Sequence, residues 1–177
     1  MSLVGVMQRV IVVASLSVAL MGCTVQPQTQ SEFSESPQKQ ILQWPLTTAQ
    51  TETHERINLA TDRAELTLLL ADTESERQQG LSGRDELPLD GMLFVIDPVR
   101  QTDIWMRDMR FDLDIIWLRD GRVVHRELSA PAARAQDRNP PTYGPSAPVD
   151  AVVEVAAGTA EHWGFGPEAE VRPGELI

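Results

Sequence analysis

Residues 114–128 read DIIWLRDGRVVHREL, and this stretch decides the fold. Two runs rich in Ile, Val and other apolar residues flank the pair Asp120-Gly121. An Asp-Gly pair between such runs is typical of a two-residue β-hairpin turn, because both turn residues need positive φ angles. The stretch therefore predicts two antiparallel strands joined at residues 120–121.

Charged residues alternate with apolar ones immediately before this hairpin. From residue 108 to residue 114 the even positions are charged and the odd positions are apolar. This alternation has two interpretations: the charged residues form a functional site, or they form the solvated face of an ordinary strand. Asp112 and Asp114 on one strand face would lie about 7 Å apart, within the range of paired catalytic carboxylates. Any alternating strand with two acids gives that spacing, and Arg110 between them favours a salt-bridged surface.

The remaining folded region predicts short strands and two short helices. Thr73 and Glu76 have the spacing of a capping box, which begins a helix that Gly80 can end. Residues 129–148 contain five prolines and predict a long loop. Further segments predict strands, namely two around TDRA, a buried one at GMLFVI, one at AVVEVAAG and a last one at AEVRPG. The segment TAEHWG predicts a brief helix that ends at residue 164. The fold class is therefore mostly β (α+β), a single compact, barrel-like domain over residues 55–177.

The first residues predict export and a lipid anchor. Residues 10–20 form an apolar run that follows a weakly basic start, which is typical of a secretory signal and too short to span a bilayer. The run ends in LMGC, which resembles a bacterial lipobox, so residues 1–22 are expected to be removed before a lipidated Cys23. The alternative is an ordinary signal with a stray cysteine. With Thr24 rather than Asp after the cysteine, we expect an outer-membrane lipoprotein that faces the periplasm.

Residues 23–54 predict a flexible, lipid-anchored tether, because Gln, Ser, Thr and Pro dominate the segment and cannot bury enough apolar surface to fold. The apolar residues that interrupt it are expected to dock on the domain, and they are Ile41, Leu42, Trp44 and Leu46. Signal cleavage leaves 14 basic and 26 acidic residues, a net charge of −12. Such a chain is repelled by nucleic acid and anionic headgroups. The expected partners are the membrane, through Cys23, and a small anionic ligand or an envelope protein.

The sequence contains no motif for a cofactor or a metal. It lacks GxSxG, a phosphate-binding glycine loop and GxGxxG, and its three histidines have no metal-ligand spacing. Met92, Met106, Met109 and His125 would together suit cuprous copper. Methionine on strand-like runs is more often core filler, so we expect no metal and no cofactor.

The predicted domain contains many arginines and no lysine. Arg77 and Arg84 flank the short helix and its GLSG turn, where a guanidinium beside backbone N–H groups would make an anion pocket. Codon bias explains the arginine usage equally well.

Three motifs of the chain together resemble the domain of unknown function 192 family. They are ERQQGLSGRDELPLDGMLFVI, WMRDMRFDLDIIWLRDGRVV and VVEVAAGTAEHWG, and the resemblance covers residues 56–174. It implies a compact, mostly β domain with a barrel-like sheet, in a family that is often exported or lipid-anchored and has no established activity. The residues that match the family's motifs include Arg77, Arg84, Trp105, Asp114 and Glu154.

The resemblance also implies a bend before the hairpin, since the family commonly has proline where this chain has Asp112. We therefore expect a strand through Trp105 and Met106, a turn over residues 107–112 and a second strand over residues 113–118. Asp114 then lies within an apolar strand and needs a partner, because burying an unpaired carboxylate is costly. We expect Arg77 or Arg84 as that partner, in a structural staple rather than a ligand clamp.

Three functions remain in competition. The first is a non-enzymatic binding or accessory module, whose candidate binding residues are Arg77, Arg84, Trp105, Asp114 and Glu154. The second is an envelope hydrolase or transferase that uses Asp114 with Glu154 or Asp112. The third is a structural or assembly protein, whose contact surface would comprise Trp105, Trp163 and the proline-rich loop.

Overall fold

The computed structural model describes residues 42–51, 55–133 and 139–177. The predicted signal peptide, Cys23 and the tether up to residue 41 lie outside these ranges. In chain order the elements are helix α1 (Thr48–Thr51), strands β1 (Arg56–Ala60) and β2 (Glu65–Ala71), helix α2 (Glu74–Gln79), and strands β3 (Met92–Arg100), β4 (Ile104–Trp105), β5 (Leu113–Arg119), β6 (Arg122–Ala130), β7 (Thr142–Tyr143), β8 (Val149–Ala156) and β9 (Arg172–Leu176). Within the described part of the chain, no helix has the length and apolar character needed to cross a membrane.

Seven strands form one curled sheet in the order β6-β5-β8-β3-β2-β1-β9, and β4 pairs with β7 in a small second sheet. Neighbouring strands are antiparallel except for β2 and β3, which are parallel. The two edges approach each other through a bridge between Arg122 and Glu170, and the N–H of Val123 donates to the carbonyl of Ala169 at 3.0 Å. The predicted mostly β, barrel-like fold is confirmed as a curled half-barrel.

The predicted hairpin is confirmed as the β5–β6 pair. Asp120 and Gly121 have φ angles of 50° and 72°, as a two-residue turn with both φ angles positive requires. A Cβ atom on Gly121 would also clash with a ring carbon of Trp44, so glycine is needed for space as well. The predicted bend is confirmed too, since β4 ends at Trp105 and β5 begins at Leu113.

Strand β6 carries one extra residue at each of two places in its pairing with β5. The register shifts between Trp117 and Leu118 and again between Leu113 and Ile115, so β6 bulges twice. Val124 and Leu128 lie at these bulges and are exposed. One edge of the main sheet is therefore irregular.

The capping box of α2 is confirmed. Glu76 N–H donates to the Thr73 hydroxyl at 3.2 Å, Thr73 N–H donates to the Glu76 carboxylate at 3.0 Å, and the helix ends at Gly80. These hydrogen bonds hold the pKa of Glu76 below its usual value. The first turn of α2 is therefore fixed by its own side chains.

Two other sequence predictions are wrong. Residues 159–164 form successive turns rather than a helix, and one i to i+4 hydrogen bond, from Trp163 N–H to the Thr159 carbonyl, closes within them. The N–H of Ala160 donates to the side chain of Asp114 on β5. The loop predicted over residues 129–148 is interrupted by β7, whose pairing with β4 was not visible in the sequence.

Apolar residues form a core on each face of the main sheet. Strand β3 shows the alternation, since Leu93 and Val95 belong to one core and Met92, Phe94 and Ile96 to the other. We call these the first core and the second core. The small β4–β7 sheet packs on the second core through Ile104 and Tyr143.

Residues 42–51 pack against the domain. Leu42 and Leu46 are buried in the first core, and the indole N–H of Trp44 donates to the Val171 carbonyl at 2.7 Å. The expected docking of these three residues is confirmed, while Ile41 lies outside the described residues. The folded part thus begins before residue 55, where the sequence placed its start.

Candidate functional site

Asp114 is a buried carboxylate with two backbone partners. Its side chain oxygens accept hydrogen bonds from the N–H of Ser129 at 2.8 Å and from the N–H of Ala160 at 2.9 Å. Ser129 has a φ angle of 55° and lies at the second bulge of β6. Asp114 therefore joins β6 to the turn that follows β8, and the expected pairing with Arg77 or Arg84 is wrong.

Glu154 is a buried carboxyl group in apolar surroundings. It lies opposite Met92 of β3 and Ile115 of β5 in the register, and 4% of its surface is exposed. Within the ranges that the structure covers, no group donates a hydrogen bond to its side chain. Burial raises the pKa of Glu154 to about 8, so the group is mostly protonated at neutral pH.

The two buried acids lie on opposite faces of the sheet. Glu154 is opposite Ile115, so the two side chains share a face. Asp114 precedes Ile115 on the same strand and therefore points to the other face. A catalytic pair of Asp114 and Glu154 is thus wrong. The alternative pair with Asp112 is wrong as well, because both Asp114 oxygens already accept backbone hydrogen bonds and the exposed Asp112 binds the N–H of Ala132 at 2.7 Å.

The two arginines singled out in the sequence have different surroundings. Arg77 is 14% exposed and donates to the carbonyls of Asp72 and Val95, which ties α2 to β2 and β3. Arg84 is exposed on the loop after α2, and its N–H donates to the carbonyl of Leu81. Neither side chain contributes to a pocket with Asp114, so the predicted anion pocket is not formed by them.

A cleft of about 1010 Å³ lies beside the second core and contains Trp105. Trp105 is 50% exposed, and the guanidinium carbon of Arg107 lies 5.2 Å from the centre of its ring. The cleft is lined by Gln78, Gln79, Ser82, Gly83, Trp105, Arg107, Asp108, Met109, Arg110, Ala133, Asn139, Pro140 and Thr142. Of the five predicted binding residues, Trp105 alone lines it.

The walls of the cleft are joined by hydrogen bonds. The Ser82 hydroxyl donates to the carbonyl of Arg107, and the N–H of Gly83 donates to the carbonyl of Asp108, both at 2.9 Å. The segment that carries Thr142 is attached to the segment that carries Trp105 through the pairing of β4 with β7, in which these two residues are opposite each other. These contacts connect the segments that carry Ser82, Arg107 and Thr142.

The charge of the cleft differs from that of the whole protein. Among the lining residues that the structure describes, Arg107 and Arg110 stand against the single acid Asp108, whereas the complete chain has a net charge of −11. Sequence reasoning assigned residues 107–112 to a solvated turn and so missed both arginines. The signal that could have identified them is a tryptophan followed within five residues by two arginines.

Trp105 and Trp163 belong to different surfaces. Trp105 lines the cleft beside Met109 of the second core, whereas Trp163 packs against the first core on the other face of the sheet. The contact surface predicted for these two residues is therefore not formed.

The methionines considered as copper ligands are core residues. Met92, Met106 and Met109 are all buried in the second core, and His125 packs against Trp117 with ring centres 5.1 Å apart. The part of the chain that the structure describes contains no group of three or more His, Cys, Asp or Glu residues arranged to hold a metal ion.

By its fold, the protein is a small, mostly β domain with a half-barrel sheet, and its surface carries a polar cleft that contains a tryptophan. Residues 56–173 match the family model DUF192, described as "Uncharacterized ACR". The chain belongs to this family, the domain of unknown function 192.

Two solved structures are similar to the chain. A protein of unknown function from Novosphingobium aromaticivorans is 27% identical, with a TM-score of 0.55 over 66% of this chain and 83% of that one. A protein from Sinorhizobium meliloti described as a candidate transcription regulator is 28% identical, with a TM-score of 0.56 over 67% of this chain and 92% of that one. No curated protein matches the chain.

Proposed function

We propose that this protein is an outer-membrane lipoprotein, anchored through Cys23, that binds a component of the cell envelope in the Trp105 cleft. The observation that carries the proposal is the half-exposed Trp105 within walls that are joined to each other. A large aromatic side chain in a cleft with converging polar groups is typical of a ligand site.

Binding rather than catalysis is supported by the positions of the buried acids. Both oxygens of Asp114 bind backbone N–H groups, and Glu154 lies between apolar strand residues. Neither residue lines the cleft. A role in gene regulation, which the name of the Sinorhizobium meliloti protein raises, is disfavoured here because a net charge of −11 opposes binding to DNA.

The full chain, purified in detergent, tests the proposal by retention of components from a solubilised envelope extract, read by mass spectrometry. We expect Trp105→Ala to abolish retention of a component that the unaltered protein retains. Leu128→Ala is the matched control, because Leu128 is also an exposed large apolar residue but lies outside the cleft. Equal retention by Trp105→Ala would overturn the assignment of the cleft.

Membrane fractionation of Cys23→Ser tests the lipid anchor, and the retention experiment is repeated with this variant. We expect this variant to leave the membrane fraction, because it lacks the acylated sulfur, and to keep the envelope component bound. Fractionation of Cys23→Ser with the membrane, in the same amount as the unaltered chain, would contradict lipid anchoring at this residue.

A further inference from the structure

The cleft offers hydrogen-bonding groups rather than an apolar surface. Amide and hydroxyl side chains form much of the lining, namely Gln78, Gln79, Ser82, Asn139 and Thr142. The Gln78 amide donates one N–H to Glu74, the Gln79 amide donates one to the Ser82 carbonyl, and the Ser82 hydroxyl donates to the Arg107 carbonyl. The oxygens of these groups can still accept a hydrogen bond, and each amide keeps a second N–H. The lining therefore suits a ligand with several hydroxyl or amide groups and disfavours a lipid chain.

Trp105 adds one flat surface to this polar lining. Half of its surface is exposed, and Arg107 lies near its ring in a cation–π contact. A ligand ring with a C–H face can pack on the indole while its polar substituents reach the amides. This combination of an aromatic platform and polar groups fits a sugar ring.

The two arginines provide a site for an anionic substituent. Arg107 pairs with Asp108, and Arg110 pairs with Asp85. All four side chains are more than half exposed. Exposed ion pairs contribute little free energy, so a ligand carboxylate can replace either aspartate at low cost. The guanidinium group favours a carboxylate in particular, because its planar fork matches both oxygens.

We propose that the cleft binds an acidic saccharide, with the sugar ring on Trp105 and a carboxylate on Arg107 or Arg110. This inference rests on the proposed function and specifies its ligand. A long polyanion fits less well, since the rest of the protein is strongly acidic and repels it. The ligand is therefore a short unit with an isolated negative charge.

Two sugars that differ in one substituent test the inference. N-acetylglucosamine and N-acetylmuramic acid share a ring and an acetamido group, and only the latter carries a carboxylate-bearing ether. We expect the full chain in detergent to bind N-acetylmuramic acid at least tenfold more tightly by isothermal titration calorimetry. The preference should fall with rising salt, because the arginines are exposed.

Variants separate the two parts of the site. Arg107→Gln with Arg110→Gln should remove the preference for the acidic sugar and keep the weaker binding of the neutral one. Trp105→Ala should weaken binding of both sugars, and Arg122→Gln, an exposed arginine outside the cleft, should change neither. Circular dichroism spectra that match the unaltered protein establish that each variant is folded.

The outcomes distinguish this inference from the proposed function. Equal binding of the two sugars, or binding of neither, would overturn the inference. If an envelope component is still retained in a Trp105-dependent manner, the proposed function stands without it. If no envelope component is retained either, both proposals fail.

Discussion

Asp114 and Glu154 occupy adjacent strands, and each is an acid within an otherwise apolar run. Their exposed fractions are similar, 1% and 4%. Asp114 receives two backbone N–H groups, whereas none of the described residues donates to Glu154. The comparison teaches that equal burial can leave two acids in different surroundings. Asp114 is held by backbone donors, whereas burial without donors raises the pKa of Glu154.

The largest expected loss of stability in a variant comes from removing Asp114. Asp114→Ala leaves the N–H groups of Ser129 and Ala160 without their acceptor, and Ala160 is buried whereas Ser129 is exposed. Two hydrogen bonds to a carboxylate are worth about 3–6 kcal/mol together, and water can replace the acceptor of Ser129, so we expect a loss of about 3 kcal/mol in the free energy of unfolding. Urea unfolding of the variant measures it. A loss below about 1 kcal/mol would show that these donors find other partners.

The second effect concerns pH and comes from Glu154. The folded protein retains the Glu154 proton up to about pH 8, whereas the unfolded chain releases it near the ordinary pKa of 4.5. Unfolding between these values releases a proton, so the free energy of unfolding falls as pH rises. From pH 5 to pH 8 the fall is about 4 kcal/mol at 1.36 kcal/mol per pH unit.

Glu154→Gln removes this contribution, because an amide does not titrate. Burial also raises the pKa of Asp150, which contributes a dependence of the same sign in both proteins. We therefore compare the pH profiles of the free energy of unfolding in the two proteins. The variant should gain stability relative to the unaltered chain as pH rises, and parallel profiles would show that Glu154 is not protonated in the folded state.

The smallest effect is expected at Asp112, which sharpens the comparison because it is exposed and accepts one backbone hydrogen bond rather than two. Asp112 is exposed, and its carboxylate also accepts a backbone hydrogen bond, from Ala132 at 2.7 Å. Water can replace this acceptor, so Asp112→Ala should cost about 1 kcal/mol in urea unfolding. A cost equal to that of Asp114→Ala would mean that neither burial nor a second hydrogen bond amplifies the loss of the acceptor.

The features that the sequence predicts correctly depend on local chemistry. The Asp120-Gly121 turn and the Thr73 capping box each involve residues at most three positions apart, and the apolar runs identify most of the main-sheet strands. The bend near Asp112 followed from the family resemblance. These predictions succeeded because neighbouring residues determine the backbone conformation.

The features that the sequence does not predict depend on distant backbone groups. The donors to Asp114 lie 15 and 46 positions away, and any residue type provides an N–H, so the pattern could not identify them. An arginine partner was expected because side chain charges are visible in a sequence. Arg107 and Arg110 were not predicted as cleft residues because the rest of the lining comes from distant parts of the chain, residues 78–83 and 139–142.

The two bulges of β6 have a consequence for contacts between copies of the protein. A sheet edge can recruit an identical edge from a neighbour and start polymerisation, but only along a regular row of N–H and C=O groups. The extra residues at Val124 and Leu128 interrupt that row. The bulges therefore disfavour the addition of a strand from another molecule at this edge.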